Sequence, residues 1–151
     1  MQDYDVTLRW QGSTSDEDYP RSGEAMSKGK PSIAISAGSS FGGDDTRWNP
    51  EDLFGASLSA CHMLTFLALA RKVRLDVRRY DENATVTLDN SEKVARVGKV
   101  KLSPTIRVAP GTELAKVLEM FQKAGKYCYI AQSTTAEVIL EPLILEEPMG
   151  D

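Results

Sequence analysis

The sequence predicts an α+β domain in which strands, paired as hairpins, pack against a helical layer. Three observations support this fold class: segments with the two-residue period of strands occur near both ends and in the middle, one long apolar segment has a clear helix start, and a second, amphipathic helix precedes the last strand. The 151 residues contain no internal repeat or low-complexity linker. We therefore expect a single domain over residues 1–151, large enough to bury a substantial core.

The N-terminal part of the chain holds two short predicted strands with an irregular segment between them. Residues 4–10, YDVTLRW, alternate well enough to form a first strand. Residues 11–31 are polar and rich in glycine and proline, which predicts a loop or an irregular hairpin. Residues 32–36, SIAIS, are predicted to form the second strand.

A long helix is predicted from about residue 50 to residue 72, and its start is the clearest local signal in the chain. Asn49 suits the N-cap, Pro50 suits the first helical position, and Glu51 and Asp52 place negative charge in the first turn. The residues expected on one stripe at helical spacing are Leu53, Ser57, Cys61, Leu64 and Ala68. Other apolar side chains lie alongside this stripe, so we expect the helix to be central.

The C-terminal half is predicted to contain a hairpin, a second helix and a last strand. Residues 78–90 and 96–110 have the period of strands and meet near Asn90–Ser91. Thr112 can cap a helix whose apolar face runs from Leu114 to Ala124, and Gly125 is a plausible stop signal. The last strand is predicted within AEVILEPLIL, residues 136–145.

Composition excludes some classes of function. The net charge of −4 and the pI near 5.1 argue against binding to nucleic acid, because no basic face large enough to hold phosphates is evident. The acidic N-terminal stretch lacks the apolar core of a secretory signal, and no uninterrupted apolar run reaches the length of a membrane span. We therefore expect a cytoplasmic protein, in which a structural disulfide is disfavoured.

The central chemical question is the role of Cys61, which directly precedes the only histidine of the chain. One histidine and two distant cysteines cannot supply a four-ligand zinc site within one chain, which leaves only a site shared across a dimer. His62 cannot act as the base of Cys61, because neighbouring residues on a helix point roughly 100° apart; we expect it to face the opposite side, with a neighbouring partner or exposed. Two alternatives remain open: Cys61 is a small core residue, or it is a redox thiol that works with Cys128. In the second case a cation from elsewhere in the fold must lower its pKa.

The segment WNPEDLFGASLSACHMLTFLALA, residues 48–70, resembles the signature of the OsmC/Ohr family, named for osmotically inducible protein C and organic hydroperoxide resistance protein. LSPTIRV at residues 102–108 and CYIAQS at residues 128–133 are similar to further parts of that family. The resemblance implies an OsmC-like fold with antiparallel sheets, a long central helix and a second helix. It also implies an intertwined homodimer with active sites at the subunit interface.

The resemblance further implies a cysteine-based peroxidase that reduces organic hydroperoxides. On this chain Cys61 would be the peroxidatic nucleophile and Cys128 the resolving thiol, so that the cycle passes through a Cys61–Cys128 disulfide. Glu51 matches the glutamate that pairs with an activating arginine in the family. Arg21 is the best match for that arginine; Arg9 and Arg47 match less well. No metal and no cofactor are expected, and the reductant would be an external dithiol, with a lipoyl-type dithiol suggested by the family.

Two details qualify the expected site. Glu51 lies ten residues before Cys61, which is about 15 Å along a straight helix. Either the helix breaks near Gly55, or the Glu51 that serves a given Cys61 comes from the other subunit; we favour the second. Cys128 is followed by Tyr129, where the organic hydroperoxide resistance branch usually has proline. The apolar residues expected near the site, which would suit an alkyl hydroperoxide, are Phe41, Phe54, Met63, Tyr129 and Ile130.

Two other functions fit the predicted fold. The first is an OsmC-like protein that binds a small hydrophobic ligand or senses redox state without significant peroxidase turnover. It would be favoured by an ordinary thiol pKa for Cys61. The second is a thioesterase-type enzyme, which is less well supported because no acidic residue is placed in the middle of the long helix.

Overall fold

The computed structural model describes residues 1–150, which fall into two compact units that divide between Leu53 and Phe54. The first unit contains an antiparallel sheet of three strands in the order β1-β2-β3. Its strands are β1 (Thr7–Arg9), β2 (Ser22–Met26) and β3 (Ile33–Ser36). Strand β2 lies in the segment that the sequence predicts as loop or irregular hairpin, and β1 is shorter than its prediction.

Strand β2 depends on a glycine at the point where it passes β1. A Cβ atom at Gly23 would lie 2.5 Å from the carbonyl oxygen of Arg9, which is closer than any side chain permits. The connection between the two strands is closed by Trp10, whose indole N–H donates to the carbonyl oxygen of Pro20 at 2.7 Å. The missing side chain at Gly23 allows β2 to pair closely with β1, so the strand forms although its sequence is polar.

The long helix α1 spans Pro50–Lys72, which are the bounds predicted from the sequence. Its start is a reciprocal cap: the backbone N–H of Asp52 donates to Asn49 Oδ1 at 2.7 Å, and the N–H of Asn49 donates to Asp52 Oδ2 at 3.1 Å. The helix is followed by Arg74 in the left-handed region, with φ 61°, and the N–H of Leu75 donates to the carbonyl of Ala70 at 2.9 Å.

The buried face of α1 is not the predicted stripe. The residues of α1 that are buried in this chain are Gly55, Leu58, His62, Phe66 and Ala70. On the predicted stripe, Ser57, Leu64 and Ala68 are exposed, and Cys61 is half-buried. Because apolar side chains surround α1 on most sides, sequence periodicity cannot select the buried face, and the positions of the sheet and the next helix decide it.

The second unit is built on a four-stranded sheet that is mixed, not purely antiparallel. Strands β4 (Val77–Asp89) and β5 (Arg96–Val108) form the predicted antiparallel hairpin. The predicted last strand is two short strands, β6 (Glu137–Leu140) and β7 (Leu143–Glu146), which both pair with β5 in parallel. Parallel pairing of β5 with β6 requires a crossover connection, which the intervening helices supply.

Two helices form that crossover: α2 (Leu114–Tyr127) and the single-turn α3 (Tyr129–Gln132). The predicted boundaries of α2 are both wrong. Glu113 occupies the N-cap, whereas the hydroxyl of Thr112 donates to the carbonyl of Ala109 at 2.6 Å. Gly125 lies inside α2, and Cys128 is the C-cap.

The core of the second unit has two parts. The larger cluster joins α1, α2 and β5; its buried members are Phe66, Ala70, Ile106, Val108, Val117, Met120, Phe121 and Ala124. The rings of Phe66 and Phe121 meet edge to face, with centroids 5.8 Å apart. The smaller cluster consists of Leu58, Val100, Leu102 and Cys128, and Cys61 packs against it. One cysteine is therefore part of the core and the other lies at its edge.

By length and composition α1 could also cross a membrane, and it is the single helix of residues 1–150 for which this holds. The sequence-based expectation that no segment is apolar enough is therefore too strict. In the middle of α1, Leu58 and Phe66 are fully buried in the two core clusters of the second unit.

Candidate functional site

Cys61 and Cys128 lie in the same small cluster of the second unit, although 66 residues separate them in the chain. Both are free thiols. Cys128 is fully buried among Leu58, Val100 and Leu102, whereas Cys61 is half-buried and keeps access to solvent. The accessible sulfur is thus the one on the long helix, and the second sulfur lies behind it in the core.

The backbone fixes both sulfurs through regular structure. Cys61 follows the buried Leu58 by one turn of α1, and this leucine anchors that turn on the sheet. Cys128 stands between two helices: its N–H donates to the carbonyl of Ala124 at 2.9 Å and ends α2, and its Sγ accepts from the N–H of Ala131 at 3.4 Å and begins α3. A change at the Cys128 sulfur therefore acts directly on the start of α3.

Hydrogen bonds favour the ionised form of Cys61. Burial by itself would raise the pKa of the Cys61 thiol, but hydrogen bonds to its sulfur outweigh burial and hold the pKa below its usual value. The donors are the Cys128 thiol, the backbone N–H groups of Ile130 and Tyr129, and the hydroxyl of Thr65. The sequence predicts a cation for this task, whereas the donors that lower the pKa of Cys61 here are polar groups of the second unit.

Cys128 has the opposite tendency. Burial, together with the hydrogen bond that its thiol makes to Cys61, raises its pKa to about 11. At neutral pH the pair therefore consists of a Cys61 that ionises more readily than usual and a Cys128 that keeps its proton. A thiolate is a nucleophile, and a neighbouring thiol can capture a sulfenic acid as a disulfide, so the pair is equipped for two-electron redox chemistry.

Sequence reasoning missed the two backbone N–H groups among the four donors to the Cys61 sulfur. Helix α3, which supplies two of the donors, is too short to show a periodic pattern. Thr65 is expected beside Cys61 from the sequence, because it lies four residues later and residues at this spacing share a helix face. Of the two serines that precede Cys61 on α1, Ser57 is exposed and Ser59 turns to the opposite side of the helix.

On that opposite side Ser59 takes part in a carboxyl cluster that the sequence did not indicate. The hydroxyls of Ser59 and Tyr80 donate to the two carboxylate oxygens of Glu82, the latter at 3.0 Å. Burial raises the pKa of Glu82, and the two hydrogen bonds offset this only in part. The cluster joins α1 to β4 and contains neither cysteine.

The predicted arginines belong to the first unit. Arg21 donates through Nη1 to the carbonyl of Tyr19 at 2.6 Å, and its guanidinium lies 4.0 Å above the ring of the same tyrosine. Arg47 donates to the carbonyl of Gly23 at 3.2 Å and lies 3.8 Å from Asp44. Arg9 is an exposed residue of β1. The role of Arg21 beside a thiolate therefore stays a prediction.

Glu51 lies in the first turn of α1, where its charge meets the positive end of the helix. Helix α1 runs without a break from Pro50 to Lys72. A break near Gly55, which would have shortened the separation of about 15 Å between Glu51 and Cys61, is therefore not present.

Within residues 1–150, no group of three or more His, Cys, Asp and Glu side chains could hold a metal ion.

Comparison with known proteins gives one family and one fold. The family model described as OsmC-like protein matches residues 42–142. A curated relative, peroxiredoxin OsmC of Escherichia coli K12, is 28% identical over 93 residues, which are 62% of this chain. The chain spans 64% of the length of that relative.

Solved structures match over almost the whole chain. An OsmC-like protein of unknown function from Vibrio cholerae has a TM-score of 0.87 and 29% identity, and the match covers 95% of this chain and 100% of the other. An organic hydroperoxide resistance protein from Elizabethkingia anophelis shares the fold, with a TM-score of 0.69, 19% identity and coverage of 97% and 99%. The organic hydroperoxide resistance protein OhrB of Bacillus subtilis does so with a TM-score of 0.64, 21% identity and coverage of 95% and 98%.

Proposed function

The chain belongs to the OsmC-like protein family, and from that premise we propose that it is a cysteine-dependent peroxidase that reduces organic hydroperoxides. The relative in Escherichia coli is named a peroxiredoxin, and two proteins of the same fold are named organic hydroperoxide resistance proteins. One observation carries the proposal: Cys61, whose pKa is lowered, packs against the buried cluster that contains Cys128, whose pKa is raised.

In the first step the Cys61 thiolate attacks the terminal oxygen of the hydroperoxide. A sulfur–oxygen bond forms, the O–O bond breaks, and the alkoxide leaves and takes up a proton to become an alcohol. The sulfur is oxidised by two electrons to a sulfenic acid, and the peroxide is reduced by the same two. The hydrogen bonds that favour the Cys61 thiolate raise the fraction of enzyme ready for this attack.

In the second step the sulfur of Cys128 attacks the sulfur of the Cys61 sulfenic acid. A disulfide forms, the S–O bond breaks, and the departing hydroxide takes the Cys128 proton and leaves as water. An external dithiol then returns two electrons and two protons, restores both thiols and is itself converted to a disulfide. We propose a lipoyl-type dithiol for this role, and the cytoplasm as the compartment, where thiols are kept reduced.

The apolar surroundings of the site favour an alkyl hydroperoxide over a small polar peroxide. Phe54 and Ile130 pack against the cluster that contains Cys128, and Cys61 packs against the same cluster. Tyr129, next along the chain from Cys128, leaves 83% of its surface exposed. An alkyl group that covers these side chains would be removed from water as the peroxide oxygen reaches Cys61.

We also propose that the active form is a homodimer in which Glu51 acts on the Cys61 of the other subunit, together with Arg21. The unbroken helix α1 supports this proposal, because it keeps Glu51 about 15 Å from the Cys61 of its own chain. Mixing Cys61→Ser protein with Glu51→Gln protein tests it. Statistical exchange makes half the molecules heterodimers with one complete site of two, so about a quarter of wild-type activity should return. No recovery after subunit exchange would refute action between subunits.

Peroxide consumption tests the function itself. Wild type, Cys61→Ser and Cys128→Ser proteins are compared with cumene hydroperoxide and an excess of dihydrolipoamide. Wild type should turn over, Cys61→Ser should be inactive, and Cys128→Ser should give one burst and accumulate sulfenic acid. If all three consume peroxide at the same background rate, the chain is instead a ligand-binding or redox-sensing protein on this fold.

A further inference from the structure

His62 is fully buried between α1 and α2, and its two ring nitrogens differ in their surroundings. Nε2 lies 2.8 Å from the carbonyl oxygen of Phe121 on α2, and the two rings pack with centroids 4.6 Å apart. Nδ1 has no hydrogen-bond partner among residues 1–150. Because a carbonyl oxygen only accepts, the proton is on Nε2, which donates, and Nδ1 carries the lone pair of a neutral ring.

This arrangement is unusual for a residue that merely fills space. A leucine or methionine at position 62 would occupy the volume without burying an unpaired nitrogen, which costs free energy. What the imidazole adds is one hydrogen bond between two helices that otherwise meet through apolar contacts. His62 is also surrounded by Phe121 and by Gly125, where a Cβ would lie 3.8 Å from its Cε1, so the ring is held on the α2 side.

The hydrogen bond joins the two segments that carry the cysteines. His62 directly follows Cys61 on α1, and Phe121 lies two turns before Cys128, which ends α2. Since a helix moves as a unit, the bond to the Phe121 carbonyl sets how far α2 lies along α1, and hence where the Cys128 sulfur lies relative to Cys61.

We propose that His62 is a positioning residue for disulfide formation: through the carbonyl of Phe121 it holds Cys128 at the distance and angle from which its sulfur reaches the oxidised Cys61. The inference rests on the proposed peroxidase cycle and assigns His62 to its second step. His62 does not touch the peroxide, because it points away from Cys61 into the seam between the helices. Its loss should therefore slow the second step and spare the first.

The test compares three substitutions at this one position. In His62→Gln the amide nitrogen can take the place of Nε2 and donate to the Phe121 carbonyl. In His62→Leu the donor is gone and the volume is kept. His62→Asn is too short to reach the carbonyl, and it replaces the leucine variant if that protein does not fold. Thermal unfolding of each variant shows that folded proteins are being compared.

Stopped-flow oxidation by cumene hydroperoxide separates the two steps, since sulfenic acid formation depends on peroxide concentration and disulfide formation does not. In His62→Leu the first step should stay within about twofold of wild type. Disulfide formation should slow by about tenfold or more, because a displacement of about 1 Å can cost up to about a hundredfold. His62→Gln should recover most of the rate. Unchanged disulfide formation in His62→Leu, or equal loss of both steps with no recovery in His62→Gln, would overturn the proposal.

A second oxidant keeps this test independent of the proposed function. One thiolate adds to the N=N bond of diamide, and the second thiol then displaces the nitrogen and forms the disulfide, while diamide is reduced to its hydrazine; no peroxidase activity is needed. If wild type forms no sulfenic acid with peroxide, the proposed function fails, but the His62→Leu protein should still close the Cys61–Cys128 disulfide with diamide more slowly than wild type. Equal diamide rates in the two proteins would refute the positioning role whatever the outcome with peroxide.

Discussion

The hydrogen bond from Cys128 to Cys61 can be tested by replacing its donor. Serine at position 128 keeps an O–H that can donate to the Cys61 sulfur, whereas alanine removes the donor, and each variant leaves Cys61 as the only thiol. The Cys128 thiol is the first of the hydrogen bonds that lower the pKa of Cys61 against the effect of burial. The pKa of Cys61 should therefore be higher in Cys128→Ala than in Cys128→Ser.

The size of the effect follows from the surroundings of the sulfur. Hydrogen bonds to charged groups contribute about 1.5–3 kcal/mol, and for the half-buried Cys61 we take about 1 kcal/mol because water competes for the thiolate. This free energy corresponds to about a fivefold difference in the thiolate population below the pKa. Alkylation by iodoacetamide at pH 7 reports on that population; because the more acidic thiolate is also less nucleophilic, alkylation should be about two- to threefold faster in Cys128→Ser. In guanidinium chloride the two rates should coincide, which controls for intrinsic reactivity.

Equal alkylation rates in the folded proteins, or a faster rate in Cys128→Ala, would refute the reasoning. The first outcome would mean that the Cys128 thiol does not stabilise the thiolate. The second would mean that burial by the Cys128 side chain outweighs its hydrogen bond. Either result would remove the physical basis for assigning nucleophile and resolving thiol from their surroundings.

Three further predictions concern stability, measured by urea unfolding. Asn49→Ala removes the cap of α1 and should lower the free energy of unfolding by about 1 kcal/mol. Asn49→Asp can still accept from the Asp52 N–H and should be nearly neutral. Equal losses in the two variants would mean that this hydrogen bond does not contribute to stability. Arg74→Gly should raise the free energy of unfolding by about 0.5 kcal/mol. Glycine relieves the strain of the left-handed backbone at the end of α1, and its larger loss of conformational entropy on folding offsets part of this gain. A less stable variant would contradict this. Burial lowers the pKa of His62, and its hydrogen bond to Phe121 opposes burial only in part. The unfolded chain therefore binds a proton that the folded chain does not, so stability should fall as the pH drops below about 6.5, and His62→Gln should lack this component; identical pH dependence in both proteins would rule it out.

The sequence predicts α1 well and its environment poorly, for physical reasons. The cap at Asn49, the proline at the first position and the acidic first turn are local signals, so both bounds of the helix could be predicted. Which side of α1 is buried depends on the sheet and on α2, which lie far away in sequence. A helix with apolar residues on most sides offers no periodic signal from which to choose that side.

Other differences also come from contacts between distant segments. Strand β2 has few apolar residues and forms because its backbone pairs with β1 and β3. The last predicted strand divides at Glu141 and Pro142, and its two halves pair with different stretches of β5. Gly125 is compatible with a helix end or a helix interior, and the packing of α2 onto His62 places it in the interior.

At the candidate site, too, local features could be predicted from the sequence, whereas contacts between distant segments could not. Cys61 stood out in the sequence because of its position in the helix, and the resemblance to a family linked it to Cys128. The donors that act on the Cys61 sulfur could not be predicted from the residue types, since two of them are backbone N–H groups of α3. The buried partner of His62 likewise depends on how α1 and α2 pack, which the sequence does not encode locally.

The central claim is that Cys61 reduces the peroxide and Cys128 then closes a disulfide with it. The most direct measurement is mass spectrometry of reduced wild-type protein after one equivalent of cumene hydroperoxide, with the cumyl alcohol quantified in parallel. The account predicts one equivalent of alcohol, a loss of two hydrogens from the protein and a single linked peptide pair joining Cys61 to Cys128. Alcohol formed without that disulfide, or the same yield from Cys61→Ser, would contradict it.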